Sequence, residues 1–169
     1  MKTKSHKNTC FYLILLGSFI LRCLFACTYK GFLSDTACFS SWATRVFSEG
    51  FGNFYSPDVF SDYPPGYMYV LYVLGAISEW FQLEYLSGGS LLLLRLPAIL
   101  CDIATGYIIY TVSKKHFTGR MPIVLATIYL LNPAVFINSS LWGQVDSVFT
   151  LTIVIIALLL SQGKTIRSY

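Results

Sequence analysis

An all-α integral membrane protein, with four transmembrane helices and two juxtamembrane helices in a long first outer loop, is what the sequence predicts. Three observations lead there. Only 12% of the residues are charged while 55% are hydrophobic, about half the charge of an ordinary soluble domain. Several apolar stretches approach the ~20 residues needed to cross a hydrocarbon core of ~30 Å. The basic residues also sort to one side of those stretches once a single ambiguous stretch is laid on the surface. Disorder is excluded by the same composition, because 17% of the residues are aromatic and self-solvating chains are poor in them.

The first predicted span is 9–29, nearly all apolar and preceded by Lys2, Lys4 and Lys7. A cleaved signal peptide is the alternative, since Leu24-Phe25-Ala26-Cys27 faintly resembles a lipoprotein processing site. Arg22 interrupts the apolar run just before it, and Phe is a poor residue there, so retention as a span is expected. Further spans are predicted at 91–113, 121–138 and 147–161, the last of them short. The stretch 63–83 is apolar too, but it contains Glu79 and starts with Asp62-Tyr63-Pro64-Pro65 at its edge.

Charge decides how that stretch lies. If it crossed the membrane with a cytoplasmic N-terminus, three basic residues would lie inside and seven outside. Laid on the outer surface, it leaves eight inside and only Lys30 and Arg45 outside, which obeys the positive-inside rule. Both termini are then cytoplasmic, and 30–90 is one long outer segment of a single membrane domain, 1–169. The net charge of +4 follows from this topology, and no basic run is long enough to suggest nucleic acid. The five cysteines show no CxxC or CxxH spacing, and four of them sit in apolar stretches as small hydrophobes.

The outer segment opens with a predicted helix over 34–50, capped by Ser34 and closed by Gly50. Phe39, Trp42, Ala43, Val46 and Phe47 fall on one helical face. That face would lie in the lipid boundary or pack on neighbouring elements; periodicity alone allows both. Asp35, at the helix start, is favoured there by the helix dipole. It is either a general base toward a hydroxyl or simply a helix-starting residue. Asp62 and Tyr63 precede Pro64-Pro65, which pre-sets the start of a second helix, so Asp62 is expected at a second helix N-terminus on the same side. Asp58, Glu79 and Glu84 read as solvated or headgroup-facing.

The stretch Asn138-Ser139-Ser140-Leu141-Trp142-Gly143-Gln144-Val145-Asp146 follows Asn132-Pro133 and joins the third and fourth spans on that same side. It is either a turn or part of a site, with Trp142 in the interfacial belt and an amide (Gln144) and a carboxylate (Asp146) at the membrane edge. Within the second span, Arg95 and Asp102 are seven apart and share a helix face about 10 Å from each other. Buried charges of this kind either glue helices together or face a cavity or ligand. Arg95, near the outer end, could reach a lipid or substrate phosphate; Arg22 has the same two readings.

Taken in order, Gly31-Phe32-x-x-Asp35, Phe39-x-x-Trp42-Ala43, Gly52-x-Phe54-Tyr55, Asp62-Tyr63-Pro64-Pro65-Gly66 and Trp142-Gly143-Gln144-Val145-Asp146-Ser147 resemble a known pattern. It is that of the N-terminal part of polyprenyl-phosphate-sugar-dependent glycosyltransferases of the GT-C superfamily. The chain is most similar to bacterial membrane proteins related to the second mannosyltransferase of GPI-anchor assembly, and more distantly to dolichyl-phosphate-glucose glucosyltransferases. The resemblance implies inverting transfer of a hexose, mannose favoured, from a polyprenyl-phosphate-linked donor to a glycan, lipid or protein acceptor. Asp35 would be the catalytic base. Asp62, Tyr63, Trp142, Gln144 and Asp146 would bind substrate, with Arg95 toward the phosphate; a divalent metal is left open. It further implies a multi-pass location in a bacterial cell membrane, or the endoplasmic reticulum in a eukaryote. Such enzymes continue with further spans, so the chain is expected to be truncated at its C-terminus or completed by a partner that supplies them. The competing expectations are a non-catalytic membrane subunit or remnant and, more remotely, a small transporter.

Overall fold

A computed structural model describes residues 2–161, with side chains from residue 8 onward. Among these residues every regular element is helical. Helix α1 (Lys2–Thr28) and helix α5 (Gly88–His116) are long, and Asn8–Thr28 and all of α5 are apolar enough to cross a membrane. Ser87 starts α5 by accepting a hydrogen bond from the Ser90 N–H at 3.3 Å, satisfying one orphan donor of the first turn. Lys114, Lys115 and His116 close it, where the dipole favours cations.

The apolar stretch expected to form one span over 121–138 is instead two helices. Helix α6 (Met121–Leu130) stops at Leu131-Asn132, and helix α7 (Pro133–Phe136) restarts and runs into a π-helical turn, Ile137–Trp142. The two halves are bent by 46°. Pro133 has no N–H to continue the ladder and its ring crowds the preceding turn. Asn132 then uses its side chain to cap the restart, accepting from the Ala134 N–H at 2.9 Å. Helix α8 (Asp146–Ser161) is apolar but only 16 residues long.

Between α1 and α5 lie helix α2 (Leu33–Glu49), the single turn α3 (Phe51–Phe54) and helix α4 (Pro65–Trp80). The predicted apolar face of α2 packs on protein: Phe39, Trp42, Ala43 and Val46 are buried against Tyr67, Met68, Leu71 and Leu74 of α4. Each large side chain so buried contributes ~1.5–3 kcal/mol. The helices approach closely because position 75 is glycine; a Cβ there would meet the Ala43 carbonyl oxygen and lie 2.9 Å from Phe47 Cβ.

Two expected helix starts differ in detail. Phe32 occupies the cap position of α2 without a side-chain cap bond, and Ser34 lies inside the first turn with its hydroxyl 3.5 Å from Asp35 Oδ1. Pro65 starts α4 after Pro64 at φ −70 and ψ 156, so Asp62 sits in the extended approach rather than in the first turn. The C-terminal expectation holds better, since Gly50 ends α2 with φ 78.

A fully buried ionic knot ties the long helices together. Arg22 Nη1 donates to Asp102 Oδ2 at 2.9 Å, both side chains being 0% exposed. The same guanidinium reaches Ser139 Oγ at 2.7 Å and the Leu130 carbonyl at 2.9 Å, and lies over the Phe136 ring. Tyr129 donates to the other Asp102 oxygen at 3.1 Å. Asp102 therefore pairs with Arg22 of α1 and not with Arg95 of its own helix. This is the helix-gluing alternative, in which a buried charge persists because it is both paired and hydrogen-bonded.

Candidate functional site

Asp35 lies in the first turn of α2 and is half-buried. Its Oδ2 accepts two hydrogen bonds from the segment that leads into α8. One comes from Trp142 Nε1 at 3.0 Å and one from Gln144 Nε2. The amide of Gln144 is oriented in turn, because its Oε1 accepts from the Tyr63 hydroxyl at 3.4 Å. Both donors to Asp35 are neutral, so they hold the carboxylate in place without cancelling its charge. Oδ1 has the Ser34 hydroxyl at 3.5 Å, the outer limit of such a bond.

The backbone explains why these side chains converge. The π-helical turn carries Ser139 and Ser140 inward, both 0% exposed, while Trp142 emerges outward. Gly143 then turns the chain at φ 91 and ψ 22, a left-handed conformation that glycine adopts without a Cβ clash. The N–H groups of Gly143 and Gln144 both return to the Asn138 carbonyl at 3.0 Å. The side chain of Asn138 donates to Asp146 Oδ2 at 3.0 Å, which fixes the start of α8.

Asp35, Phe39, Trp42, Phe60, Asp62, Tyr63 and Gln144 surround one pocket of about 230 Å³. Tyr63 stacks edge-on against Phe39 with centroids 5.1 Å apart. Its phenol is pushed above the ordinary tyrosine value, first by burial and then by the negative charges of Asp146, Asp62 and Asp35. Burial, Asp35 and Asp62 act the same way on the Cys38 thiol. The three carboxylates thus share one electrostatic neighbourhood. Among the described residues no three His, Cys, Asp or Glu side chains stand close enough to hold a metal ion.

Arg95 occupies a different level. It is 1% exposed, and its Nη1 donates to the carbonyls of Ala26 at 2.8 Å, Tyr29 at 2.6 Å and Ser140 at 3.4 Å. It clamps the end of α1 to the π-helical turn, where a cation complements helix-terminal carbonyls. Its Nε and Nη2 have no hydrogen-bond partner among the described residues. Gly31 and Gly143 flank them: a Cβ on Gly31 would lie 2.6 Å from Nη2, and one on Gly143 would lie 3.0 Å from Nε. Above this clamp an apolar hollow of about 370 Å³ is lined by Tyr29, Gly31, Phe32, Ile137, Leu141 and Trp142.

No protein-family model, curated protein or solved structure matches the chain. The site therefore stands on its own geometry.

Of the residues the sequence singled out, Asp35, Asp62, Tyr63 and Gln144 line one pocket. Trp142 bonds to Asp35 from its edge, and Asp146 acts on Tyr63 by charge. Arg95 is separated from them by backbone. Phe60, Cys38 and Asn138 also belong to the site. Asn138 was visible as part of a polar stretch. Phe60 lies in a loop without periodicity, and Trp42 Nε1 holds its carbonyl at 2.9 Å, a tertiary contact with no sequence signature.

Proposed function

We propose that the chain forms the acceptor-activating part of a membrane glycosyltransferase. It transfers a hexose, mannose favoured, from a polyprenyl-phosphate donor to an acceptor hydroxyl on the outer or lumenal face, with inversion at C1. The carrying observation is Asp35, a carboxylate fixed by two neutral donors and lining a small pocket. In the reaction Asp35 takes the proton of the acceptor hydroxyl. That oxygen bonds to sugar C1 while the C1–O bond to phosphate breaks, and its electron pair leaves with the lipid phosphate.

The surroundings support this assignment of sides. Trp142 bonds to Asp35 through its indole N–H while its ring lines the apolar hollow, so a lipid-linked donor can approach from the hollow and meet the acceptor at Asp35. Arg95 does not line the hollow, and its two unpaired nitrogens are buried against Gly31 and Gly143, so its charge would favour a phosphate in the hollow only by attraction across that backbone. Asp62, Tyr63 and Gln144 face the sugar or acceptor, and Asp146 holds the turn that presents Gln144. In this reading α1, α5, the bent α6–α7 pair and α8 each cross the bilayer, α2 and α4 rest on its outer surface, and the basic end of α5 faces the cytoplasm. The bilayer is a bacterial cell membrane or, in a eukaryote, that of the endoplasmic reticulum.

The test is transfer of labelled mannose from polyprenyl-phosphate mannose by membranes containing the full chain. Replacing Asp35→Asn keeps shape and both hydrogen-bonding neighbours but removes the base, and transfer should fall ~10²- to 10⁴-fold. Equal transfer by the Asn variant, or none by the wild type in membranes that contain acceptor, would refute the reading.

A further inference from the structure

At the opposite end of α1 from Asp35, a small cavity of about 190 Å³ lies between α1, α5 and α6. Asn8, Tyr110 and Lys114 are its polar lining, and Phe117, Pro122 and Ile123 contribute apolar surface. The polar part is anchored in the core. Tyr110 is 3% exposed, and its ring stacks on Phe11 with centroids 3.7 Å apart. Its hydroxyl donates to Asn8 Oδ1 at 2.8 Å, which fixes the amide; the remaining group of that amide, Nδ2, can only donate. Lys114 places Nζ 4.9 Å from the Tyr110 ring centroid and has no ion pair among the described residues.

Charge and level select the ligand. No Asp or Glu occurs in 1–34 or in 103–145, the stretches that supply every lining residue. The preceding carboxylate on α5, Asp102, stands ~12 Å along the helix from Tyr110 and is paired with Arg22. An anion therefore meets Lys114 and the Asn8 amide with no opposing charge. Helix α5 has 29 residues and is ~43 Å long against a hydrocarbon core of ~30 Å, so when it crosses, its basic last turn stands among the lipid headgroups. The bonds from Tyr110 to Asn8 and from Arg95 to Ala26 show α1 running antiparallel to α5, which brings the turns carrying Lys2, Lys4 and Lys7 to the same end. The cavity is smaller than the ~300–1,000 Å³ of sites for whole small ligands, a size for a headgroup whose chains stay in the bilayer. A zwitterionic headgroup brings an ammonium that finds no carboxylate here, and Phe11 and Lys114 already occupy the Tyr110 ring.

We infer that this cavity seats the phosphate of an anionic phospholipid, with Lys114 Nζ and Asn8 Nδ2 donating to its oxygens and Phe117 and Ile123 against its apolar part. The lipid thereby bridges α1 and α5 at the end where neither helix supplies a counter-charge. Basic juxtamembrane segments in general are drawn to anionic leaflets; the cavity adds a single seat with fixed donors. The inference needs only that α1 and α5 cross a bilayer, and it is independent of the transferase reading.

The experiment reads binding and needs no turnover. The full chain in a neutral detergent is titrated with phosphatidylglycerol or with phosphatidylcholine of the same acyl chains, and native mass spectrometry gives the affinity of the first bound lipid. The wild type should bind phosphatidylglycerol about tenfold or more tightly than phosphatidylcholine. Lys114→Gln should remove most of that preference. Lys115→Gln deletes the same charge one residue away, outside the cavity lining, and should change the affinity no more than about threefold, as for an exposed charge. Both lysines are exposed, so unchanged thermal midpoints check that the fold is intact. Free glycerol phosphate should not displace the lipid. Equal affinity for the two lipids overturns the inference, and so does an equal loss in the two variants, which would mean diffuse attraction. Displacement by free glycerol phosphate would assign the cavity to a soluble anion and overturn the lipid.

Discussion

Asp102 and Asp35 each organise a polar network, and the two differ in what answers the charge. Asp102 is 0% exposed and faces the Arg22 guanidinium at 2.9 Å. Asp35 is half-buried and is held by an indole, an amide and, through the amide, a phenol. A carboxylate with a cation in contact is neutralised, and its lone pairs are committed to structure. A carboxylate held by neutral dipoles keeps its charge and its orientation together, which a general base requires. One element serves both networks. The π-helical turn sends Ser139 down to Arg22 and Trp142 across to Asp35. Extra-wide helical turns of this kind are often found at functional sites.

The largest effect that separates the two concerns stability. Asp102→Leu strands Arg22 without its counter-charge, and the helix assembly should lose ~3–5 kcal/mol. Arg22→Met combined with Asp102→Leu removes both charges and should recover most of that loss. Chemical or thermal unfolding of the purified chain in detergent measures both. Asp35→Asn in the same assay should shift stability by no more than ~2 kcal/mol, because its two bonds are kept but become neutral rather than charge-assisted. If Asp35→Asn destabilised as much as Asp102→Leu, the distinction between a structural and a poised carboxylate would collapse.

The sequence reveals the two networks unequally. Asp35, Trp142 and Gln144 stand out because each is polar at the edge of an apolar stretch, and motif order brings them together on paper. Their contact spans 107 and 109 residues, and only the packing of α2 beside the turn makes it real. The Arg22–Asp102 pair was not legible. Helical spacing put Asp102 on one face with Arg95, but the ionic partner came from another helix, 80 residues away. Spacing ranks neighbours along one helix and is silent about which helix lies across from it. The break at Asn132-Pro133 was written in the residues, yet an apolar window averages over two positions and reads 121–138 as continuous. The face of α2 was correctly periodic, and only the structure chooses α4 over lipid as its partner.

The next effect sharpens the role of neutral donors. Gln144→Ala removes one of the two hydrogen bonds to Asp35 and leaves Tyr63 without its acceptor. A hydrogen bond to a charged group contributes ~1.5–3 kcal/mol to the fold, so the unfolding free energy should fall by up to that amount, and transfer should drop roughly ten- to hundredfold as Asp35 loses its orientation. Gln144→Glu is more telling, because it keeps the size and the acceptor for Tyr63 but faces Asp35 with a second negative charge. It should be worse than alanine for transfer at neutral pH and improve as the pH is lowered. An active Gln144→Glu enzyme with a flat pH profile would mean that Asp35 needs no neutral orienting partner.

The smallest effect tests the outermost member of the relay. Tyr63→Phe keeps the ring stacked on Phe39 and removes one neutral hydrogen bond at 3.4 Å, so transfer should fall only about two- to tenfold. The sign of its pH dependence follows from the surroundings. Burial first, then Asp146, Asp62 and Asp35, raise the phenol above its ordinary value, near ~10 in an unfolded chain. A raised folded value means that the contribution of Tyr63 is fully present below that unfolded value and is lost only as pH rises through the folded one. The hydroxyl therefore stays a donor to Gln144 across the physiological range. An ultraviolet difference titration between wild type and Tyr63→Phe should show one tyrosine ionising later than free tyrosine. Ionisation at or below the ordinary value would mean that the three carboxylates do not share the neighbourhood of Tyr63, and the contrast with the cation-paired Asp102 would lose its electrostatic basis.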